Sequence, residues 1–196
     1  MSILIIHKTN LSRRRHLART HEYARQHGER ILMIMKDPTW ERDYVDRMVT
    51  ADTTSIAETV LAATELAASE VEPIRGVVTF AEACVPTVAL VAAELGLPGA
   101  SERTAYTARD KYTMRAVLAH AGTVGQPEFH LARDVAEATR AARDIGYPLV
   151  LKPIIGTGSM YVRSVADEAE LIENFEFLRQ GAWTGFEYDP LHGAAH

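Results

Sequence analysis

Short apolar runs alternate with amphipathic stretches along the first half of this chain. The run ILIIH, residues 3–7, is rich in isoleucine and bounded by Lys8, Thr9 and Asn10, which suits a strand buried on both faces. Residues 11–27 then predict a helix, with Asn10 as its N-cap and Gly28 just past its end. RILMIMK, residues 30–36, predicts a second strand, and RMVTAD, residues 47–52, a third. Ser55 and Glu58 have the spacing of a capping box, opening a helix with Ile56, Val60, Ala63 and Ala67 on one face. GVVTF, residues 76–80, predicts a fourth strand. It leads into a helix that aligns Val85, Val88, Ala89, Ala92 and Leu95 and is closed by Gly96 and Pro98. Strands alternating with helices specify βαβ units and a mostly parallel sheet. The expected class is α/β, with residues 1–97 forming a small doubly wound domain.

The pattern then changes. LPGASERTAYTARDK, residues 97–111, reads as a connection. A helix follows with Met114, Val117, Leu118 and Ala121 at helical spacing, ending near Gly122. PEFHLA, residues 127–132, predicts a strand, and Asp134 with Glu137 caps a helix that stops at Gly146, Tyr147 and Pro148. LVLKP (149–153) and YVRSV (161–165) predict two strands around a glycine loop. Asp167 and Glu170 cap a last helix carrying Leu171, Phe175 and Leu178. Residues 98–196 are therefore expected to form a smaller α+β unit.

Composition narrows the classes of function. Hydrophobic residues make up 47% and charged residues 24%, values of an ordinary globular chain. The net charge of −5 provides no overall electrostatic footprint for nucleic acid. A single cysteine, Cys84, cannot pair internally, which fits a reducing cytoplasm. The N-terminal apolar run has no basic segment before it, so it reads as a strand and not a signal peptide. No stretch approaches the roughly 18 apolar residues needed to span a bilayer. The eight histidines contain no H-E-x-x-H, and His192 and His196 lie in a polar tail, so no metal site is expected. Arg13, Arg14, Arg15, Arg19 and Arg25 read as a solvated basic face.

The candidate chemistry sits in GYPLVLKPIIGTGSMYVRSV, residues 146–165. Lys152 ends an apolar strand, where burying an unpaired ammonium is costly unless an anion meets it or the side chain reaches solvent. Gly156, Gly158 and Ser159 follow, and glycines let backbone N–H groups approach a phosphate. A plain tight turn has the same composition. The loop is not a P-loop, since no Gly-Lys-Ser/Thr follows it. Arg109, Asp110 and Lys111 open an amphipathic helix, and alone would read as a solvated first turn. His7 and Lys8 close the first strand, where α/β domains place ligands, and ordinary strand-end polarity accounts for them equally well.

Taken in order, GVVTFAE (76–82), AAELGLPGAS (92–101), ARDKYTMRAVLAHAG (108–122), GYPLVLKP (146–153) and GTGS (156–159) resemble the ATP-grasp superfamily. The similarity is to its biotin-carboxylase-like and L-amino-acid-ligase-like branches. That resemblance implies an N-terminal preATP-grasp domain followed by the small subdomain that covers ATP. It implies that Lys111 and Lys152 bind ATP phosphates, Lys152 also lying near the adenine, and that Gly156, Gly158 and Ser159 belong to the loop over the phosphates. Glu82, with His7, would face the substrate side, and Glu187 in GFEYDPLHG would match the family's adenine hinge. Two departures stand out. Family loops of this kind run G-S-G-S-x-G-V, whereas here Met160 and Tyr161 precede Val162. The acidic residues and asparagine that hold magnesium follow later in the family, beyond the span matched here.

The implied activity is ATP-dependent ligation through an acyl phosphate. ATP with magnesium serves as cofactor, a small carboxylate and an amine or other nucleophile as substrates, and a homo-oligomer or complementing chain as partner. This chain alone is expected to be incomplete as an enzyme. The alternative is a non-catalytic nucleotide-binding or protein-interaction module built on the same fold. A dinucleotide-dependent oxidoreductase is disfavoured, because HKTNLS follows the first strand where G-x-G-x-x-G would seat a pyrophosphate.

Overall fold

The computed structural model describes residues 1–8, 11–156 and 158–185. The chain divides into two compact units, Met1–Tyr106 and Thr107–His196.

The first unit is α/β. Its strands β1 (Ser2–Ile6), β2 (Arg30–Met35), β3 (Arg47–Thr50) and β4 (Ile74–Val78) form one parallel sheet in the order β3-β2-β1-β4. Ile6 lies opposite Ile34, and Ile34 opposite Val49. The isoleucine-rich runs are explained by burial on both faces. Leu4, Ile6, Leu32 and Ile34 pack with Ala63, Leu66 and Val91 of helices α2 (Ile56–Ser69) and α3 (Val85–Glu94). Ile5, Ile31, Met33 and Met35 pack on the opposite face with Leu17 and Ala24 of helix α1 (Arg14–His27).

Local signals set the helix ends. The Ser55 hydroxyl accepts from the Glu58 N–H at 3.4 Å, opening α2. Gly28 takes φ +64° past α1, a left-handed geometry that glycine adopts without a Cβ clash. The first helix begins with a 3-10 turn, Leu11–Arg13, before α1 proper, and the expected cap Asn10 lies outside the described residues. The third strand is shorter than its sequence pattern, and the fourth begins two residues earlier, at Ile74.

The stretch expected as a connection contains helix α4, Glu102–Arg109. Its signal is a serine cap: Ser101 Oγ accepts from the Thr104 N–H at 3.2 Å, and Ala105 and Tyr106 are buried. Glu102, Arg103, Thr104, Thr107, Ala108 and Arg109 fill the remaining positions, so no apolar period marks the helix. The division into units falls within α4, between Tyr106 and Thr107.

The second unit contains helix α5 (Lys111–Ala121), helix α6 (Val135–Ile145), the antiparallel pair β5 (Leu149–Leu151) and β6 (Arg163–Val165), and helix α7 (Glu168–Gly185). Asp134 Oδ1 accepts from the Glu137 N–H at 2.7 Å, and Asp167 Oδ1 from the Glu170 N–H at 2.9 Å, opening α6 and α7. Ala138, Ala142, Val165 and Leu171 form the core, with Leu149, Leu151 and Phe175 against them. Residues 127–132 are not a strand. The two-stranded sheet pairs only β5 with β6, and the apolar residues of this segment are used otherwise. Phe129 meets Tyr112 of α5 edge-on at 5.7 Å, and Ala132 packs on the core.

Two polar groups inside the first unit make its stability depend on pH. Glu70, whose side chain is only 3% exposed, receives Arg30 and also Arg47, the latter at 2.6 Å. Those guanidiniums, with the Arg47 hydrogen bond foremost, hold its carboxyl below the usual carboxylate range. His7 is buried just past β1, with both ring nitrogens lacking a hydrogen-bond partner. Burial pushes its pKa below the ordinary value near 6.5, against the opposing pull of Glu41.

A base with a lowered folded pKa contributes fully above its unfolded value, and that contribution is lost as pH falls and the unfolded chain takes up the proton first. Urea midpoints should therefore drop on acidification below about pH 6.5, and His7→Gln should flatten that first decline. An unchanged profile between wild type and H7Q would refute the assignment. The Glu70 contribution has the carboxylate sign, present above about pH 4.5 and lost below it. Glu70→Ala should cost about 1–2 kcal/mol at neutral pH, discounted because both arginines are about two-fifths exposed. Chemical denaturation of the variant checks it.

Candidate functional site

The candidate residues fall into two groups, one in each unit. In the first unit the strand order makes the β1–β4 boundary the place where successive connections leave the sheet on opposite faces. Parallel α/β sheets hold ligands at the carboxyl ends of strands beside such a boundary. His7 stands there. Its N–H donates to the Ile34 carbonyl at 3.0 Å, and its carbonyl accepts from Thr53 Oγ1 at 3.0 Å, so the backbone is fixed between neighbours. The ring meets Phe80 edge-on at 6.4 Å. Arg13 Nε donates to the Phe80 carbonyl at 3.1 Å, tying the start of α1 to the segment after β4. Glu41 is fully buried nearby; its Oε2 accepts from the Thr39 N–H at 2.9 Å, while Oε1 has no partner. Glu82 is exposed in the one-turn 3-10 segment Glu82–Cys84 that follows β4. His7 and Glu82 thus share the carboxyl edge of adjacent strands.

In the second unit Lys111 is the first residue of α5, and Asp110 caps that helix by accepting from the Thr113 N–H at 2.8 Å. The Lys111 backbone N–H donates to the Ile154 carbonyl at 3.1 Å. Its Nζ donates to the carbonyls of Ile154 at 3.2 Å and Gly156 at 3.3 Å. Lys111 therefore reaches the segment that leaves β5, two residues beyond Lys152. Gly156 is buried, and a Cβ there would lie 3.3 Å from Pro153 Cγ, a tight approach, and 3.8 Å from Lys111 Nζ, an ordinary contact.

Lys152 follows β5 and is half-buried. Burial holds its ammonium below the usual lysine range, and the nearby Arg115 guanidinium pushes the same way. Arg115 carried no signal of its own in the sequence beyond its place one turn after Lys111.

The loop itself has an unusual backbone. Gly158, Ser159 and Tyr161 have φ of +62°, +58° and +60°. Ser159 and Tyr161 are not glycine, and each left-handed L-residue costs roughly 1–2 kcal/mol. The Val162 N–H donates to the Ser159 carbonyl at 3.2 Å. Tyr161 packs against Phe177 of α7 at 6.1 Å, and the Arg163 guanidinium lies 5.2 Å over the same ring. Glu187 lies outside the described residues, so its match to an adenine hinge rests on sequence alone.

The structure brings Lys111, the glycine loop and the end of β5 together within the second unit, and His7 and Glu82 to one edge of the first. Among the described residues no cluster of three or more His, Cys, Asp or Glu side chains could hold a metal ion. No helix among them is long and apolar enough to cross a membrane.

Two family models match the chain in order. Residues 21–99 match the ATP-grasp N-terminal domain, and residues 110–191 match the ATP-binding domain of the carbamoyl-phosphate synthase L chain. The small subunit of 2-oxoglutarate carboxylase from Hydrogenobacter thermophilus is 38% identical over 68 residues, 34% of this chain and 14% of that protein. The crystal structure of L-amino acid ligase from Bacillus licheniformis superposes with a TM-score of 0.72 at 25% identity, covering 91% of this chain and 42% of that one. The biotin carboxylase domain of the Hydrogenobacter 2-oxoglutarate carboxylase, solved as a dimer with MgADP, ADP and bicarbonate, shares the fold at 20% identity. Its TM-score is 0.71, over 93% of this chain and 42% of that domain. The chain spans less than half the length of each of these relatives. With both halves matched in order and the whole superposing on solved ligase structures, the chain belongs to the ATP-grasp superfamily.

Proposed function

We propose that this chain supplies nucleotide-binding elements of an ATP-dependent ligase that activates a carboxylate as an acyl phosphate for capture by an amine or similar nucleophile. The observation that carries the reading is Lys111 Nζ seated on the carbonyls of Ile154 and Gly156, beside Lys152. That arrangement places lysine charge next to a glycine loop whose amides can cradle an anion.

Lys111, Lys152, Gly156, Gly158 and Ser159 are the proposed contacts to the nucleotide. Their work is electrostatic: positive charge held in place before the phosphoryl group moves needs no reorganisation when charge develops on it. Glu187 is proposed to receive the adenine, on the strength of the family resemblance. Glu82 and His7 are proposed to face the carboxylate substrate, at the sheet edge where such domains bind ligands. The described residues do not fit a magnesium site, so no step through the metal is derived from them. Binding of nucleotide, not turnover, is the activity expected of this chain by itself.

Titration calorimetry with ATP and ADP tests the reading. The wild-type chain should bind both, and Lys152→Ala should weaken binding by roughly 1–3 kcal/mol, the usual loss of a charge-assisted hydrogen bond. Its thermal midpoint should hardly move, since Lys152 forms no ion pair with a described residue. Lys111→Ala should show a similar loss of affinity together with a drop in stability of about 1 kcal/mol, because two backbone carbonyls lose their donor. The two carbonyl contacts thus set Lys111 apart from Lys152. Absence of any nucleotide binding by the wild-type chain would refute the proposal.

A further inference from the structure

Three cations of the second unit lie in one neighbourhood. Lys111 and Arg115 are four residues apart on α5, which puts their side chains on the same face of the helix. Lys111 Nζ rests on the carbonyls at 154 and 156, directly after Lys152. Burial holds the Lys152 ammonium below the usual lysine range, and the positive charge of Arg115 pushes it the same way.

The guanidinium is also aimed. Arg115 Nη1 donates to Gln126 Oε1 at 3.2 Å, and Gln126 Nε2 donates to the Gly125 carbonyl at 3.2 Å. The Gln126 amide is therefore held at both ends, and it fixes one nitrogen of a planar fork whose other N–H groups remain for a ligand. No ion pair among the described residues joins Arg115 or Lys152 to a carboxylate. Like charges brought together repel, the more so away from bulk water. Holding Gln126 does not by itself account for a second positive charge near a half-buried lysine. A ligand with several negative oxygens would turn that repulsion into attraction.

We propose that Arg115 is a phosphate-binding residue, positioned by Gln126, and that it and Lys152 engage the same polyphosphate chain. Identifying that chain as part of a nucleotide rests on the function proposed above; the phosphate chemistry does not. Calorimetry on the full chain at low salt, about 20 mM so that screening is weak, should use inorganic tripolyphosphate, ADP and adenosine as separate probes. Arg115→Gln should weaken tripolyphosphate and ADP about tenfold and leave adenosine unaffected, with an unchanged melting temperature. Arg115→Lys should recover part of the loss, and Gln126→Ala should fall between wild type and R115Q.

Wild-type affinity for tripolyphosphate in R115Q overturns the assignment, as does failure of the wild-type chain to bind tripolyphosphate at all. Tripolyphosphate binding that depends on Arg115, without ADP binding, upholds the phosphate site and rejects the nucleotide reading. Should R115Q unfold at assay temperature, Q126A decides: full tripolyphosphate affinity in that variant overturns the proposal.

Discussion

A lysine at the first position of a helix is poorly placed for its own helix, because the amino end already carries partial positive charge. Lys111 occupies that position in α5, and its ammonium is stabilised by the carbonyls of Ile154 and Gly156. The geometry of the second unit's site follows from this contact. It draws the segment after β5 onto the start of α5, and with Asp110 supplying the helix cap the lysine is left to serve the loop. Residue 156 being glycine spares a tight approach to Pro153, whose Cγ would lie 3.3 Å from a Cβ there, while the ammonium at 3.8 Å would stand in ordinary contact. A charge that the local helix disfavours is thus held by a segment more than forty residues away in sequence.

The parallel sheet was legible in the sequence because burial on both faces leaves an unbroken apolar run, and the β1 and β2 runs divide by alternation between the two cores. Capped helices were equally plain: Ser55, Asp134 and Asp167 each accept from the amide three residues on. What failed to show did so for physical reasons. Helix α4 buries chiefly Ala105 and Tyr106, too few apolar positions to display a period, and the Ser101 cap was its readable signal. PEFHLA has strand composition, but a strand is completed by a partner's hydrogen bonds, and here Phe129 and Ala132 pack on other elements.

The candidate site was legible to a different degree. Lys152 drew notice because an ammonium at the end of an apolar strand requires explanation, and Gly156 and Gly158 because of their spacing. Arg115 went unread. On a helix surface an arginine one turn from a lysine is unremarkable, and only the fold reveals Gln126 and Lys152 around it. Glu41 was also unread, since nothing in WERDY announces that this glutamate is fully buried near His7. Burial of single polar residues depends on tertiary packing, and local composition carries little of that information.

The loop between β5 and β6 shows how local rules can yield to tertiary contacts. Ser159 and Tyr161 adopt left-handed backbone where glycine would be less strained. Their combined cost, roughly 2–4 kcal/mol, has to be offset by contacts that a glycine could not make. For Tyr161 such a contact is visible: its ring lies against Phe177, whose other neighbour is the Arg163 guanidinium. An aromatic pair contributes about 0.5–1.5 kcal/mol, enough to offset much of the strain at residue 161. The tyrosine that departs from the family's glycine thus ties the end of the loop to α7. Position 159 has no comparable packing on α7, and its hydroxyl stands on an exposed turn. That strain, uncompensated by packing on α7, is consistent with the anion-binding role proposed for this loop, since backbone strain gathers at ligand-binding sites.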